Sequence, residues 1–292
     1  MTPYLDRLGA RTAAVGTVLC LGIDPDPEAL PDGFPATVGG VERFARLLVD
    51  AALPCAAAVK PNLAFFEAFG SAGIAALERV RAAVPADVPF VLDAKRGDIG
   101  STVARQAVAL FDALGADAVT VNPYLGEEAI APLLERLDRF AYVLCRTSNP
   151  GAAELQGLDV GADAAPGAAP VEPLWARVAR RATGWGPGGT VGLVVGATAP
   201  AELATIRRIA PGLAFLVPGV GEQGGDVEPV LEAGPATEAP AGRVSGGGLL
   251  VNVSRAIARA ALGPSTAGDP VDPAERITRA AHEWAERLPV LP

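Results

Sequence analysis

Short apolar runs alternate with helix-period segments from one end of the chain to the other. The runs predict strands at 15–23, 55–59, 88–92, 116–121, 140–145, 191–195, 214–217 and 248–253. They are continuous rather than alternately apolar and polar, the pattern of strands covered on both faces. Between them, apolar positions recur at helical spacing. Residues 41–53 carry Phe44, Leu47 and Leu48 on one stripe, and 65–84 continue the pattern across a glycine interruption. Further helices are predicted at 101–114, 127–137, 171–183, 200–209, 226–231 and 274–288, with Pro200 suited to a first helical position. Residues 151–170 and 232–247 show neither period and predict extended loops, and 263–273 a Gly/Pro-rich link.

A strand followed by a helix or loop, repeated in this way, predicts one α/β domain over residues 1–292, a (β/α)8 TIM barrel. The rival, a doubly wound open sheet, should carry a Gly-x-Gly-x-x-Gly turn after its first strand. Asp24-Pro25-Asp26-Pro27 stands there instead.

Composition narrows the function. The chain has 292 residues, half of them hydrophobic, enough for a large core. No apolar run reaches the roughly 18 residues of a membrane span, and residues 1–10 carry Asp6 and Arg7 with no signal-like apolar stretch, so neither a membrane nor a secretory route is expected. The net charge of −9 and the lack of a basic cluster argue against a nucleic-acid partner. Cys20, Cys55 and Cys145 lie in apolar runs and read as buried free thiols in a reducing cytoplasm. His282, the single histidine, falls in a helical pattern and reads as a surface or capping residue. That argues against a histidine-based metal site or catalytic triad.

In a barrel the carboxyl ends of the strands converge on one face. Those ends carry Asp24, Lys60, Asp93, Lys95, Asn122, Ser148, Thr198, Pro218-Gly219 and Arg255. Some suit helix caps and turns, Asn122 before a proline above all. Lys60 at the end of an apolar strand needs a carboxylate, and Asp93 on the neighbouring strand can provide it. Lys60, Asp93, Lys95 and Asp98 alternate in sign and can hold one another ionised in a low-dielectric pocket, either as a structural network or as proton-transfer machinery. The glycine-rich segment 217–226, with Pro218, Gln223 and Gly224, follows the seventh strand, and Arg255 follows the eighth. Backbone N–H groups there, with a guanidinium, suit a phosphate.

The Asp93-x-Lys95-x-x-Asp98 motif, followed by Ile99 and Thr102, resembles the signature of the orotidine 5'-phosphate decarboxylase family. The other pieces match in barrel order over roughly residues 15–260. The resemblance implies that Asp24 binds the ribose hydroxyls and that Lys60, Asp93, Lys95 and Asp98 form the charged network. It implies that Asp98 and Thr102 reach into the partner's site of a homodimer, and that Ser148 contacts the pyrimidine. Pro218, Gln223, Gly224 and Arg255 would bind phosphate. The implied reaction converts orotidine 5'-monophosphate to uridine 5'-monophosphate and CO2 in pyrimidine biosynthesis, with Lys95 protonating C6 and with no metal or organic cofactor. Gly100-Ser101 stand where proline and asparagine are frequent, the 151–170 and 232–247 stretches look longer than in compact members, and the Asp-Ala-Lys-Arg-Gly-Asp-Ile-Gly run at 93–100 resembles a longer bacterial subgroup. Two alternatives stay open: a Mg2+-dependent sugar-phosphate decarboxylase or aldolase on the same barrel, and a non-catalytic phosphate-ligand binding protein.

Overall fold

The computed structural model describes residues 2–161, 171–221, 223–262 and 272–291. Eight parallel strands run β1 (Leu19–Ile23), β2 (Ala58–Pro61), β3 (Val91–Arg96), β4 (Ala118–Val121), β5 (Phe140–Arg146), β6 (Val191–Val195), β7 (Ala214–Val217) and β8 (Leu250–Val253). Their order in the sheet is β2-β1-β8-β7-β6-β5-β4-β3. Parallel bridges Val59 to Phe90 and Asn62 to Asp93 join β2 to β3 and close the ring. With helices around it, this is the predicted (β/α)8 barrel. Strands such as β1, β4 and β6 are buried along their whole length, because the barrel interior takes one face and the helical shell the other.

The lower barrel is filled by Cys20, Ala58, Val91, Ala118, Phe140, Tyr142, Ala214 and Leu250. A helix that the apolar pattern did not predict, α1 (Tyr4–Val15), plugs this end. Tyr4 stacks on Phe140 at 4.8 Å between ring centroids, and its hydroxyl pairs with that of Tyr142 at 3.1 Å. Val15, expected to begin the first strand, instead ends α1; Gly16 takes a left-handed φ of 70° there, which glycine adopts without steric cost. The 232–247 stretch ends in short 3-10 turns that pack beneath the barrel, with Val244 against Gly9 of α1.

Three other expectations change. The helix predicted at 127–137 shrinks to one turn, Ala131–Leu134, because Pro132 lacks an N–H and fits only the first turn of a helix. Strands β2 and β3 extend beyond their predicted ends, so Lys60, Asp93 and Lys95 lie within strands rather than after them. In the 151–170 region, Ala152–Leu155 form a helical turn, and Asp159–Val160 pair antiparallel with Glu172–Pro173, which delays the next helix to Leu174–Ala182. Residues 162–170, and 263–271 of the expected link, lie outside the described residues. Helix Pro200–Ile209, β6 and β7 match their predicted limits. The three cysteines are buried free thiols, and His282 is exposed. Among the described residues no helix is long and apolar enough to cross a membrane.

Arg207 shows how the shell is held together. It is buried, and its Nη1 donates to the carbonyls of Ala210 (2.7 Å) and Leu213 (2.8 Å) while Nη2 donates to that of Gly234 (2.6 Å). Its guanidinium lies 3.6 Å from the Phe215 ring centroid. Arg207→Ala therefore leaves several buried carbonyls without donors and is expected to cost about 3 kcal/mol of unfolding free energy. Urea unfolding checks this; a loss below about 1 kcal/mol would contradict the role.

Candidate active site

Lys60, Asp93 and Lys95 meet at the carboxyl end of the barrel. The ladder sets Lys60 opposite Gly22 on one side, and the bridge from Asn62 brings Asp93 alongside on the other. Lys60 is 4% exposed, and its Nζ donates to Asp93 Oδ2 at 3.0 Å. Lys95 Nζ donates to the other carboxylate oxygen at 2.7 Å, from a more exposed position. One carboxylate is thus clamped between two ammonium groups. Burial favours neutral Lys60, but the charges of Asp93 and Asp24 outweigh it and hold the amine above its usual range. Burial also opposes the Asp93 carboxylate, yet Lys60 and Lys95, with hydrogen bonds from Lys95 and Thr120, keep its carboxyl well below the usual carboxylate range. Both groups are therefore ionised near neutral pH.

Lys95 has a φ of 47°, the sole non-glycine residue with positive φ among the described residues. Such a backbone costs about 1–3 kcal/mol and clusters at functional sites. Thr120, which the sequence pattern did not single out, sits beside it with its hydroxyl 2.8 Å from Asp93 Oδ1.

Three adjoining cavities open on this face. One of about 250 Å3 is lined by Lys60, Asp93, Lys95, Thr120, Ser148 and Pro218, with apolar walls from Leu144, Val194 and Leu216. A narrow one of about 70 Å3 runs past Pro218, Asn252 and Ser254, and shares Asp24, Gln223 and Arg255 with an outer one of about 430 Å3. The result is a charged, partly apolar end and an open polar end. Ser148 Oγ donates to Gln223 Oε1 at 2.8 Å where they meet. Gly219, at φ 98°, lies beneath that pair; a Cβ there would come 3.0 Å from both Gln223 Oε1 and Ser148 Cβ. Gly224 turns the loop at φ 82°, its N–H bonded to the Gly221 carbonyl, and lines none of these cavities.

Asp24 Oδ1, Asn252 Oδ1 and Ser254 Oγ are buried without a hydrogen-bond partner in this region. Buried polar atoms are satisfied in most folded proteins, so a group of orphans in a cavity wall suits a polar ligand or water. Asn252 and Ser254 were also not foreseen; their signal was a pair of polar residues at the end of an otherwise apolar run. Asn122 accepts the Tyr124 N–H in a turn, the structural role expected of it. Asp98 and Thr102 do not join the cluster. Asp98 accepts the N–H of Ile99, Thr102 is exposed on helix Gly100–Ala107, and neither lines the three cavities.

Fold and site together define a barrel enzyme with a lysine–aspartate–lysine array at one end of its cleft and a glycine-rich loop with an arginine at the other. Residues 17–270 match the Orotidine 5'-phosphate decarboxylase / HUMPS family, and the chain belongs to that family. It is similar to the orotidine 5'-phosphate decarboxylase of Thermomicrobium roseum, 48% identical over 255 residues that cover 87% of this chain and 86% of the relative. Among solved structures, Leishmania donovani OMP decarboxylase superposes with a TM-score of 0.78 at 39% identity, covering 98% of this chain and 97% of that one. Leishmania donovani UMP synthase gives 0.80 at 40% identity; the chain spans 56% of that longer protein.

Proposed function

We infer that the protein decarboxylates orotidine 5'-monophosphate to uridine 5'-monophosphate and CO2. The observation that carries the reading is the ammonium of Lys95, fixed 2.7 Å from the half-buried Asp93 carboxylate in a pocket with apolar walls. In the proposed step the bond from C6 to its carboxylate breaks, the electron pair stays on C6, and CO2 leaves. Lys95 stabilises the developing carbanion and donates its proton to C6, and solvent returns that proton to the amine. Asp93 orients Lys95. Its negative charge beside the substrate carboxylate also disfavours the ground state more than the transition state, in which that charge is leaving.

The lining of the three cavities supports the rest of the assignment. Ser148 and the apolar wall suit the pyrimidine, and the orphaned Asp24, Asn252 and Ser254 oxygens suit ribose hydroxyls. Gln223, Pro218-Gly219 and Arg255 suit the phosphate; Gln223 and Arg255 also line the outer cavity, which Arg259 lines too. Asp98 and Thr102 would complete the neighbouring site of a homodimer. Ile99, between them in sequence, is 59% exposed, as an apolar residue covered by a second copy would be in a single chain. The buried free thiols suit a reducing compartment such as the cytoplasm.

Phosphate contacts far from the breaking bond supply binding energy for alignment rather than for chemistry. Arg255→Ala is expected to lower kcat/KM for orotidine 5'-monophosphate by about 10²-fold, consistent with about 3 kcal/mol for a charge-assisted bond. Turnover of the unphosphorylated nucleoside should stay unchanged. Equal losses on nucleotide and nucleoside would remove Arg255 from the phosphate site. An ultraviolet assay with orotidine 5'-monophosphate and chelator tests the reaction itself. Turnover only of a pentulose or hexulose phosphate with added Mg2+ would favour the sugar-phosphate reading.

A further inference from the structure

We propose that Thr120 is a positioning residue for the reaction, its hydroxyl building the bulge that presents Lys95. The register of β3 against β4 carries the argument. Leu92 pairs with Val119 and Arg96 with Val121, so three residues of β3, Asp93, Ala94 and Lys95, face the single residue Thr120. A bulge of this kind takes backbone N–H groups out of the ladder and leaves them needing other acceptors. Here the side chain supplies one. The N–H groups of Ala94 and of Lys95 both donate to Thr120 Oγ1, each at 3.0 Å.

A hydroxyl has two acceptor sites and one proton. Both acceptor sites are occupied by backbone N–H groups, so the proton has one remaining direction, and Asp93 Oδ1 lies there at 2.8 Å. The same oxygen receives Lys95 Nζ at 2.7 Å. One buried hydroxyl, 1% exposed, thus fixes the backbone on which Lys95 stands and the carboxylate that aims its amine. It also offsets the cost of the left-handed backbone at Lys95, φ 47°. Serine and threonine can do this; valine, of almost the same shape, cannot.

The inference rests on Lys95 as the acting acid, so Lys95→Ala is assayed beside the Thr120 variants. Thr120→Val is expected to lower kcat by about 10²-fold, the scale of a misplaced catalytic group, with KM within about threefold of wild type. Thr120→Ser is expected to restore kcat to within about threefold. The acid limb of the kcat/KM profile should move to higher pH in the valine variant, where Asp93 loses a donor, and stay in place in the serine variant. A valine variant that unfolds at lower temperature yet keeps wild-type kcat would reduce Thr120 to a stability role and overturn the inference. A serine variant as slow as valine would overturn it too. Amide hydrogen exchange on the unmodified protein gives a reading that does not depend on the variants folding. The Ala94 and Lys95 amides should exchange as slowly as those of β4, and exchange at the rate of exposed loops would contradict the geometry. Wild-type kcat in Thr120→Val with an inactive Lys95→Ala sinks this inference alone. Activity surviving in Lys95→Ala sinks the reading beneath it.

Discussion

Lys95→Ala should abolish turnover while leaving nucleotide affinity largely intact. In the proposed step two contributions disappear together: the positive charge nearest the developing carbanion, and the proton that C6 must gain. Each is a factor of about 10²–10⁴ in enzymes that use such groups, so kcat is expected to fall by at least about 10⁴-fold. Uridine 5'-monophosphate binding should change by less than about tenfold, because the Gln223 and Arg255 end, proposed above for the phosphate, is untouched. Titration calorimetry and a stopped assay read the two quantities on one sample. A variant with kcat near wild type would remove Lys95 from the chemistry.

Asp93→Ala should damage both activity and stability, which no other residue of the cluster does to the same degree. It releases Lys95 from its 2.7 Å partner and leaves the buried Lys60 ammonium without its 3.0 Å partner. Breaking a buried pair from one side costs about 3–5 kcal/mol, and turnover should fall by at least about 10³-fold, the scale of a lost electrostatic contact combined with a misaligned acid. Lys60→Met combined with Asp93→Ala separates the two effects. Removing both charges should recover most of the stability, since a buried pair is often no better than an apolar replacement, and should recover none of the activity. The sign of the pH dependence follows from the two shifts. Asp93 is held below its ordinary range, so its contribution is complete above about pH 4 and is lost as pH falls through the lower native value. Lys60 is held above its ordinary range, so its contribution is complete below about pH 10 and is lost as pH rises through the higher native value. The stability deficit of Asp93→Ala should therefore be flat between about pH 5 and 9. Urea unfolding across that window checks it. A deficit that vanishes within the window, or activity in the double variant, would contradict the pair's role.

The Lys60–Asp93 pair was legible because a charge at the end of an apolar strand needs a partner, and β2 and β3 bring them together. The strands were legible for a similar reason: continuous apolar runs between helical segments leave few other architectures. What escaped depends on the third dimension. α1 packs on the barrel floor through Tyr4, Leu5 and Leu8, contacts that its weak apolar period does not announce. The left-handed backbone of Lys95 follows from a register shift between two strands, which no single segment encodes. Thr120 looked like one more β-branched residue in a strand, because its task depends on which three residues lie opposite. Asp98 and Thr102 point to a neighbouring copy through the family motif and the exposed Ile99 between them, not through any bond to the Lys60–Asp93–Lys95 cluster.

The most direct test of the central claim is a crystal structure with a uridine 5'-monophosphate analogue bearing an anionic oxygen at C6, the atom that becomes the carbanion. The account predicts the Lys95 amine within about 3 Å of that oxygen, still bonded to Asp93, with the Asp98 carboxylate of a second copy beside it. An analogue bound with Lys95 turned away from C6, or with the C6 oxygen facing the Gln223 and Arg255 end, would contradict it.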